Sequence, residues 1–306
     1  MNQSIAPVIG FVGLGNIGGP MSRNMALKHF ADVLAYDVKA NTFDILDGTK
    51  ARFTASLKEL AEAADIIFLS LPGSAHVESV CLGAEGLAAA SRRPAVIVDL
   101  STTTVATARK LADRLGEMGI DFADAPVART VDAARKGELS IMVGAENAVF
   151  DRIAPLLRYI GSDITHCGGV GCGQVVKLIN NALVFEHTAA LAEMMVLGQR
   201  AGVDPALLLK AVSKGSGDSF VLRNHGMKAM LPREFPSGGF PPEYSLKDIS
   251  YVMELAQQTG TSAAFAGLSY RYYESAVING FGGRYFPIVI ELIERNLGPV
   301  CESVQN

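Results

Sequence analysis

The sequence predicts an α/β protein in which a doubly wound parallel sheet is followed by an all-α domain. In the first half, short apolar runs alternate with amphipathic stretches, which is typical of parallel strands covered by helices on both faces. From about residue 173 the strand-like runs stop and most of the chain has helical character. The length of 306 residues fits two domains, each large enough to bury its own core.

Each strand is predicted from a continuous apolar run. The clearest runs cover residues 8–12, 33–36, 66–71 and 95–100, and weaker ones cover 120–124 and 139–143. Helical stretches lie between them, and the pattern Ser56-x-x-Glu59 indicates a capped helix start. Strand–helix–strand alternation of this kind favours a parallel sheet with crossover helices.

A long helix is predicted to open the second half. Between residues 174 and 200 the chain has no proline and a single glycine, Gly198, and it is apolar around most of its circumference. That composition predicts burial on several sides and cover by another subunit, so we expect a homodimer or homotetramer. Charged and polar residues interrupt the segment too often for a membrane span. Residues 206–297 are predicted to be mostly helical, with a Pro/Gly-rich break at 232–242.

The composition excludes several classes of protein. With 49% hydrophobic and 19% charged residues, the chain is not intrinsically disordered. Its net charge of −4 and lack of a basic run argue against binding to nucleic acid or a membrane surface. Cys81, Cys167, Cys172 and Cys301 offer only one loose pair, so we expect free thiols and no metal site. Few cysteines and the lack of a signal-peptide pattern predict a cytoplasmic protein.

A glycine-rich turn directly follows the first predicted strand. It reads Gly13-Leu14-Gly15-Asn16-Ile17-Gly18 and precedes a helix with Pro20 in its first turn. In a dinucleotide site Gly13 allows the tight turn, Gly15 lets the backbone approach a pyrophosphate, and Gly18 permits close helix–strand contact. The helix N-terminus then faces the phosphates. The alternative is a glycine-rich turn without a ligand.

Asp37 ends the second predicted strand and bears on the choice of cofactor. A carboxylate there accepts hydrogen bonds from ribose hydroxyls and repels a 2′-phosphate, which favours NAD over NADP. Lys39 tempers this preference because a cation accommodates the phosphate. These features predict a Rossmann-type dinucleotide-binding domain over residues 1–168. We assign residues 169–306 to a helical domain for substrate binding and oligomerisation.

Four further motifs follow the glycine turn in order. They are Asp99-Leu100-Ser101-Thr102, Asp124-Ala125-Pro126-Val127, Gly173-Gln174-Val175-Val176-Lys177-Leu178-Ile179-Asn180-Asn181 and Lys247-Asp248. Together these motifs resemble the β-hydroxyacid dehydrogenase family, which includes 3-hydroxyisobutyrate dehydrogenase and tartronate semialdehyde reductase. The resemblance covers nearly the whole chain, although Ile17 stands where the family usually has methionine.

The resemblance implies that Lys177 is the catalytic acid/base and that Asn181 orients the substrate. Positions four residues apart share a helix face, so the two side chains can converge on one substrate. A lysine whose pKa is lowered by burial can protonate the carbonyl oxygen during reduction and take the proton back during oxidation. The alternative for Lys177 is an ordinary surface lysine on a helix.

Other residues take roles from the same resemblance. Ser101 is expected to bind substrate and Thr102 to bind cofactor, although both could instead cap the next helix. Leu71-Pro72 is similar to the family's backbone contact to the cofactor. Lys247 is similar to the lysine that closes over cofactor and substrate, and its alternative is a solvated lysine at a helix start.

One loop departs from the family pattern. The family continues Asp-Ala-Pro-Val with Ser-Gly-Gly, whereas this chain has Ala128-Arg129-Thr130. Arg129 adds a planar guanidinium suited to carboxylate, sulfonate or phosphate. The loop resembles that of the sulfolactaldehyde reductase branch, which has Gly-Arg-Thr. We expect Ala128, Arg129 and Thr130 to hold the acid group of the substrate; the alternative for Arg129 is a surface arginine at a loop edge.

The sequence therefore predicts an NAD-dependent oxidoreductase that interconverts a small acidic aldehyde, of semialdehyde or sulfolactaldehyde type, and its hydroxyacid. Imine reductase-like enzymes are an alternative, but these often replace the lysine with Asp or Tyr. A 6-phosphogluconate dehydrogenase would be longer and would carry Lys-x-x-His-Asn at residues 177–181. A dinucleotide sensor without turnover is the alternative from another class, and retention of Lys177, Asn181 and Lys247 argues against it.

Overall fold

The computed structural model describes residues 6–298, which fall into two compact units. The first unit extends to Lys177 and the second begins at Leu178, so the division falls inside one continuous helix. The domain boundary predicted between residues 168 and 169 lies just upstream and stays a prediction. Cys301 lies outside the described residues.

A mixed sheet forms the centre of the first unit. Within residues 6–298 its strands are β1 (Ile9–Val12), β2 (Val33–Tyr36), β3 (Arg52–Phe53), β4 (Ile66–Leu69), β5 (Val96–Asp99), β6 (Asp121–Asp124), β7 (Val127–Ala128), β8 (Leu139–Gly144) and β9 (Gly161–Gly168). Their order is β3-β2-β1-β4-β5-β6-β8-β7, with β9 also paired to β8. Strands from β3 to β6 are parallel, whereas β8 is antiparallel to β6 and β7. The predicted doubly wound sheet is therefore confirmed, with an antiparallel extension at one side.

All six predicted strands are present, and three strands were not predicted. β3 and β7 are two residues long, too short to leave a periodic signal. β9 reads GSDITHCG and is partly exposed, since it pairs with β8 alone. An edge strand of this kind needs no continuous apolar run, because one of its sides is not covered.

Helices cover both faces of the sheet. They are α1 (Gly18–Lys28), α2 (Leu57–Ala63), α3 (Ser74–Leu82), α4 (Val105–Gly116), α5 (Val131–Lys136) and α6 (Asn147–Leu157). Phe11 belongs to the core on one face and Val12 to the core on the other, because successive strand residues alternate. The predicted cap of α2 is confirmed: the Glu59 N–H donates to Ser56 Oγ at 3.1 Å. The Glu59 carboxylate accepts from the Ala55 N–H at 2.8 Å, one residue earlier than in a standard capping box.

The second unit is helical, as the sequence predicts. α7 (Cys172–Arg200) continues into it, followed by α8 (Pro205–Val212), a π-helical segment (Leu222–Met230), α9 (Pro242–Thr259), α10 (Ala264–Ile278) and α11 (Val289–Glu294). An aromatic cluster lies in its core, where the Phe185 ring centroid is 5.5 Å from those of Tyr273 and Phe286. The predicted break at 232–242 separates the π-helical segment from α9. Among the helices described, none is long and apolar enough to cross a membrane.

One side of α7 carries exposed apolar side chains in the single chain. Four large apolar side chains, those of Ile179, Leu183, Met194 and Leu197, are 47–59% exposed. Their spacing places them along one stripe of the helix, which we call the apolar stripe. Cover of this stripe by another subunit stays a prediction. The opposite positions, such as Phe185 and Ala192, are buried as predicted.

Candidate active site

The glycine turn lies between β1 and α1, and its glycines have different surroundings. Gly13 has a φ of 95°, and a Cβ there would lie 2.2 Å from the carbonyl oxygen of Ser70. A Cβ at Gly18 would lie 2.0 Å from the carbonyl oxygen of Gly13. At Gly15, by contrast, no described atom lies within 4 Å of the Cβ position. The chain itself requires the first and last glycine, while the middle one leaves the backbone open to a ligand.

Asp37 lies against this turn, as its predicted role requires. Its carboxylate accepts from the Leu14 N–H at 2.7 Å and from the Lys39 N–H at 2.8 Å. Asn16 is exposed and Ile17 is half-buried; Ile17 precedes α1 and makes no side-chain cap. In the first turn, the Gly19 and Met21 N–H groups donate to the carbonyl oxygens of Gly15 and Ile17, and Pro20 has no N–H. An anionic ligand would therefore meet the N–H groups of the turn up to Gly18.

The loops after β4 and β5 are joined by a side-chain hydrogen bond. The Leu71 N–H donates to Oγ of Ser101 at 2.9 Å, and the Ser101 N–H donates to the Asp99 carboxylate at 3.0 Å. Ser101 is buried, Thr102 is half-buried and Pro72 is exposed. These residues gather at the carboxyl ends of parallel strands, where ligands bind in doubly wound folds.

Helix capping by Ser101 or Thr102 is wrong. The residue that caps α4 is Thr104, whose Oγ1 accepts from the Thr107 N–H at 3.0 Å. Residues 101–104 all carry side-chain hydroxyl groups, which suit an N-cap, so the sequence alone does not show which of them caps α4. Ser101 and Thr102 thus lie in the loop before the helix.

The first turn of α7 is anchored to the loop regions after β5 and β6. The Asp124 carboxylate accepts from the N–H groups of Gly171 at 2.6 Å and Gln174 at 2.7 Å. The side-chain amide of Gln174 accepts from the Thr103 N–H at 3.1 Å and donates to the Ser101 carbonyl at 2.8 Å. Gln174 is fully buried. The helix that carries Lys177 is thereby tied to the loop that carries Ser101.

Two buried carboxyl groups lie side by side at this junction. Asp99 and Asp124 are the last residues of β5 and β6 and are register partners. Burial raises the pKa of Asp99 to about 7, and the neighbouring Asp124 charge adds to that rise. Burial also raises the pKa of Asp124 to about 6, although backbone N–H donors oppose the rise. In the sequence, both residues are visible only as letters of the family motifs. The signal that indicates them is an aspartate at the end of each of two adjacent buried strands.

Lys177 and Asn181 lie one turn apart on α7, and each is only 8% exposed. Lys177 is therefore not an ordinary surface lysine. The Asn181 side chain donates to the Asp248 carboxylate at 2.7 Å and accepts from the Asn180 side chain at 3.1 Å. The orientation of the Asn181 amide is thus fixed from α9, by a buried aspartate to which the sequence argument gave no role.

Lys247 lies beside Asp248 on α9. Its Nζ is 3.2 Å from the Asp248 carboxylate, and it lies 5.4 Å from the ring centroid of Tyr251 and 5.9 Å from that of Tyr244. The side chain is 27% exposed, so it is not freely solvated. An ammonium over aromatic rings and beside a carboxylate is held in place at the surface of this unit.

The Ala128-Arg129-Thr130 loop has an unusual backbone. Arg129 has a φ of 89°, a conformation that favours glycine, and it stands where the family has a glycine. Its guanidinium donates to the Glu138 carbonyl at 2.5 Å, Ser162 Oγ at 2.9 Å and the Asp163 carboxylate at 2.6 Å. Three of the five guanidinium N–H groups are engaged in this way, and two have no partner among the described residues.

The neighbours of Arg129 are ordinary by comparison. Ala128 ends β7 and is half-buried, while Thr130 is exposed and caps α5 by accepting from the Ala133 N–H at 3.3 Å.

Cys81 is buried and Cys167 and Cys172 are half-buried, all three with free thiols. Across residues 6–298 no group of three or more His, Cys, Asp or Glu side chains is placed to hold a metal ion.

Two family models match consecutive parts of the chain. Residues 8–169 match the NAD binding domain of 6-phosphogluconate dehydrogenase. Residues 171–293 match the NAD-binding model of NADP-dependent 3-hydroxyisobutyrate dehydrogenase. The chain therefore belongs to the β-hydroxyacid dehydrogenase family. It is an NAD(P)-dependent oxidoreductase that acts on CH–OH groups.

Individual relatives agree with this assignment over almost the full chain. The chain is 35% identical over 298 residues to 2-(hydroxymethyl)glutarate dehydrogenase of Eubacterium barkeri, covering 97% of this chain and 98% of the relative. It is 35% identical over 266 residues to 3-hydroxyisobutyrate dehydrogenase of Pseudomonas aeruginosa, covering 85% and 89%. The solved structure of Mycobacterium tuberculosis 3-hydroxyisobutyrate dehydrogenase with L-serine superposes with a TM-score of 0.85 at 26% identity, covering 94% and 99%.

Proposed function

We propose that this enzyme interconverts a small acidic aldehyde and the corresponding hydroxyacid, with NAD as cofactor and Lys177 as general acid/base. The observation that carries the proposal is a buried lysine on a helix whose first turn is tied to the loop containing Ser101. That loop follows β5 at the sheet edge where doubly wound folds bind ligands. The family relatives, which act on hydroxyacids, support the same reaction class.

The turn of residues 13–18 suits a dinucleotide because a Cβ at Gly15 would fill the open space beside its backbone. Bound nicotinamide supplies or accepts the hydride. As hydride reaches the carbonyl carbon, Lys177 donates a proton to the oxygen on which charge develops, and it recovers that proton in the oxidative direction. Ser101 and Asn181 orient the substrate in this scheme. Leu71, Pro72, Thr102 and Lys247 would hold the cofactor.

Asp37 is the basis for preferring NAD. Its carboxylate is fixed by the N–H groups of Leu14 and Lys39, so it cannot easily turn away from a 2′-phosphate. We expect kcat/KM with NADH to exceed that with NADPH by about tenfold or more, the effect of about 1.4 kcal/mol of discrimination. Asp37→Asn should narrow the ratio, since it removes the repelling charge. Equal or better rates with NADPH for the wild type would contradict the preference.

Arg129 is proposed to bind the acid group of the substrate. The two guanidinium N–H groups that remain can form a bidentate pair with a carboxylate or sulfonate, while Asp163 and Ser162 hold the other edge. Because charge-assisted hydrogen bonds contribute about 1.5–3 kcal/mol, Arg129→Ala should lower kcat/KM for acidic aldehydes by roughly 10- to 100-fold. Rates with a neutral aldehyde of similar length should change little.

The deciding experiment is a substrate panel followed through NADH consumption. It contains sulfolactaldehyde, succinic semialdehyde, butanal and a cyclic imine, assayed with wild type, Arg129→Ala and the control Arg135→Ala. Arg135 is an exposed arginine on α5 that pairs with Asp132, so it controls for loss of a nearby surface charge. An unchanged kcat/KM in Arg129→Ala for every acidic substrate would contradict the proposal that Arg129 binds the acid group. Turnover of the imine alone would favour the imine reductase-like alternative.

We also propose that the enzyme is a homodimer or homotetramer. The apolar stripe of α7 is a run of exposed large side chains on one face, which is the kind of surface that oligomers bury. Light scattering should give a multiple of 32.4 kDa. Leu183→Glu should lower the mass, whereas Leu27→Glu, at an exposed site on α1, should not. A wild-type mass of one chain at micromolar concentration would contradict the proposal.

A further inference from the structure

The carboxylate of Asp124 occupies a cradle made by glycines. A Cβ at Gly144 on β8 would lie 2.4 Å from Oδ1 of Asp124. A Cβ at Gly173 would lie 2.8 Å from Oδ2 and 2.4 Å from the carbonyl oxygen of Met142. Gly171 has a φ of 92° and donates its N–H to the same carboxylate. Gly144 and Gly173 thus make room for the Asp124 carboxylate, which comes from β6, and Gly171 binds it through its N–H.

This contact meets a specific need of α7. The first N–H groups of any helix lack partners within the helix, and a negative charge at that end is favourable. Asp124 accepts from Gly171, just before the helix begins, and from Gln174 in its first turn. The carboxylate therefore caps α7 from a neighbouring strand instead of from the residue preceding the helix.

Gln174 supplies a second, independent attachment. Its buried side chain makes one hydrogen bond as acceptor and one as donor, both to the backbone of the loop after β5. Residues three apart lie on the same helix face, so Lys177 follows Gln174 along the face that meets this loop. The first turn of α7 is held at two points, by the Asp124 carboxylate and by the Gln174 side chain. Lys177 lies about one helical turn after Gln174.

We propose that Asp124 and Gln174 are positioning residues for Lys177, which keep its amine in fixed register with Ser101 and Thr102. The inference rests on the proposed role of Lys177 as acid/base. Neither residue transfers a proton or touches the substrate in this account. Their effect is geometric: a displacement of about 1 Å at a reacting group can cost roughly 100-fold in rate.

The test compares Asp124→Asn and Gln174→Met with Asp121→Asn. Asparagine keeps the size of Asp124 but leaves one acceptor oxygen for two N–H donors, and methionine keeps the length of Gln174 without its hydrogen bonds. Asp121 lies on the same strand, is exposed and pairs with Arg152, so the same Asp→Asn change there is a matched control. Melting temperature and NADH affinity are measured for every variant.

Three readouts distinguish positioning from general stability. We expect kcat on the best acidic aldehyde to fall by roughly 30- to 300-fold in the two variants, with the NADH Kd within about threefold of wild type. Amide exchange should become at least about tenfold faster in residues 171–177, without a similar change in β1 or β4. The rate of acetylation of Lys177 at a fixed pH, followed by peptide mass spectrometry, should rise by about threefold or more, because a loosened first turn exposes the buried amine. Asp121→Asn should leave all three unchanged.

Several results would overturn the inference. One is a folded Asp124→Asn or Gln174→Met variant with wild-type kcat and wild-type exchange at residues 171–177. Another is a parallel loss of kcat and NADH affinity with faster exchange throughout the sheet, which would indicate a purely structural role. If Asp124→Asn does not fold, Gln174→Met decides alone. If the wild type reduces no aldehyde, the proposed function fails, and local amide exchange together with the rate of Lys177 acetylation still decides the positioning role.

Discussion

The first unit contains two glycine-rich segments that lead into helices, at residues 13–18 and 168–173, and they differ in what fills the space beside them. At Gly15 the space is open. At Gly173 it is already taken by the Asp124 carboxylate and the Met142 carbonyl. Both segments present backbone N–H groups at a helix start, so both suit an anion. The difference shows that such a segment indicates an anion, while only the packing shows whether the anion is a ligand or belongs to the protein.

The difference has a chemical consequence. An open segment can bind and release a phosphate on each catalytic cycle, which a cofactor that exchanges requires. The segment at residues 168–173 is occupied by the Asp124 carboxylate, which stabilises the start of α7. In the proposed reaction, the exchanging cofactor would bind at the first segment, and Lys177, the proposed acid/base, follows the second.

The largest effect on activity is expected from Lys177→Met. This substitution should affect catalysis without affecting cofactor binding at residues 13–18. Removing a general acid/base should lower kcat by about 10³-fold, whereas NADH binding at the first segment should stay within about threefold of wild type. Steady-state kinetics and NADH fluorescence titration measure the two quantities. Lys210→Met, on the exposed side of α8, is the control. A kcat within tenfold of wild type would remove Lys177 from its proposed role.

Alanine substitutions at two glycines should have contrasting effects: one should lower stability, and the other should weaken NADH binding. Gly173→Ala places a methyl group against Met142 and Asp124 and should lower the free energy of unfolding by about 3 kcal/mol. Gly15→Ala should change stability by less than about 0.5 kcal/mol, because its site is exposed. It should nonetheless weaken NADH binding about tenfold by blocking the approach of the pyrophosphate. Urea unfolding monitored by circular dichroism measures stability, and NADH titration measures binding. A Gly173→Ala variant as stable as wild type, together with a destabilised Gly15→Ala variant, would contradict the prediction.

A further prediction concerns the pH dependence of stability and the buried Asp99, which lies beside Asp124. Its pKa is about 7 in the folded protein against 3.8 when unperturbed, so the folded state binds more protons between these values. Its contribution to the free energy of unfolding therefore falls as pH rises from about 4 to about 7 and is level above that. The raised pKa of Asp124 acts in the same direction.

Asp99→Asn should flatten this dependence. The asparagine oxygen can still accept from the Ser101 N–H, and its amide can donate to the Thr103 hydroxyl. The variant should gain stability relative to wild type above about pH 7, and the gain should disappear towards about pH 4. Urea unfolding across this range measures it, with Asp121→Asn as the exposed control. A gain that grows as the pH is lowered would show that the sign is wrong.

Much of the fold could be predicted because buried parallel strands leave a strong local signal. The runs at 8–12 and 66–71 are apolar throughout, since helices cover both faces there. β9 escaped prediction because it is a partly exposed edge strand. The partners of Arg129 escaped with it, since Ser162 and Asp163 lie on that strand.

The candidate site could be predicted only where its parts are contiguous in sequence. The glycine turn and the spacing of Lys177 and Asn181 are visible as motifs, but the bond between Asp124 and Gln174 joins residues 50 positions apart. That contact depends on α7 starting beside the carboxyl end of β6, a long-range arrangement that no local sequence pattern encodes. Asp248, which orients Asn181, was hidden for the same reason: 67 residues separate them.

The positive φ of Arg129 has a consequence for how this position responds to selection. A non-glycine residue in that conformation costs about 1 kcal/mol or more, which glycine would recover. The exposed Arg129–Asp163 ion pair that glycine would lose contributes about 0.2–1 kcal/mol, which is less. A library of variants selected only for heat resistance should therefore drift towards glycine at 129. A library selected for turnover of an acidic aldehyde should keep arginine, so the two regimes would pull one residue in opposite directions.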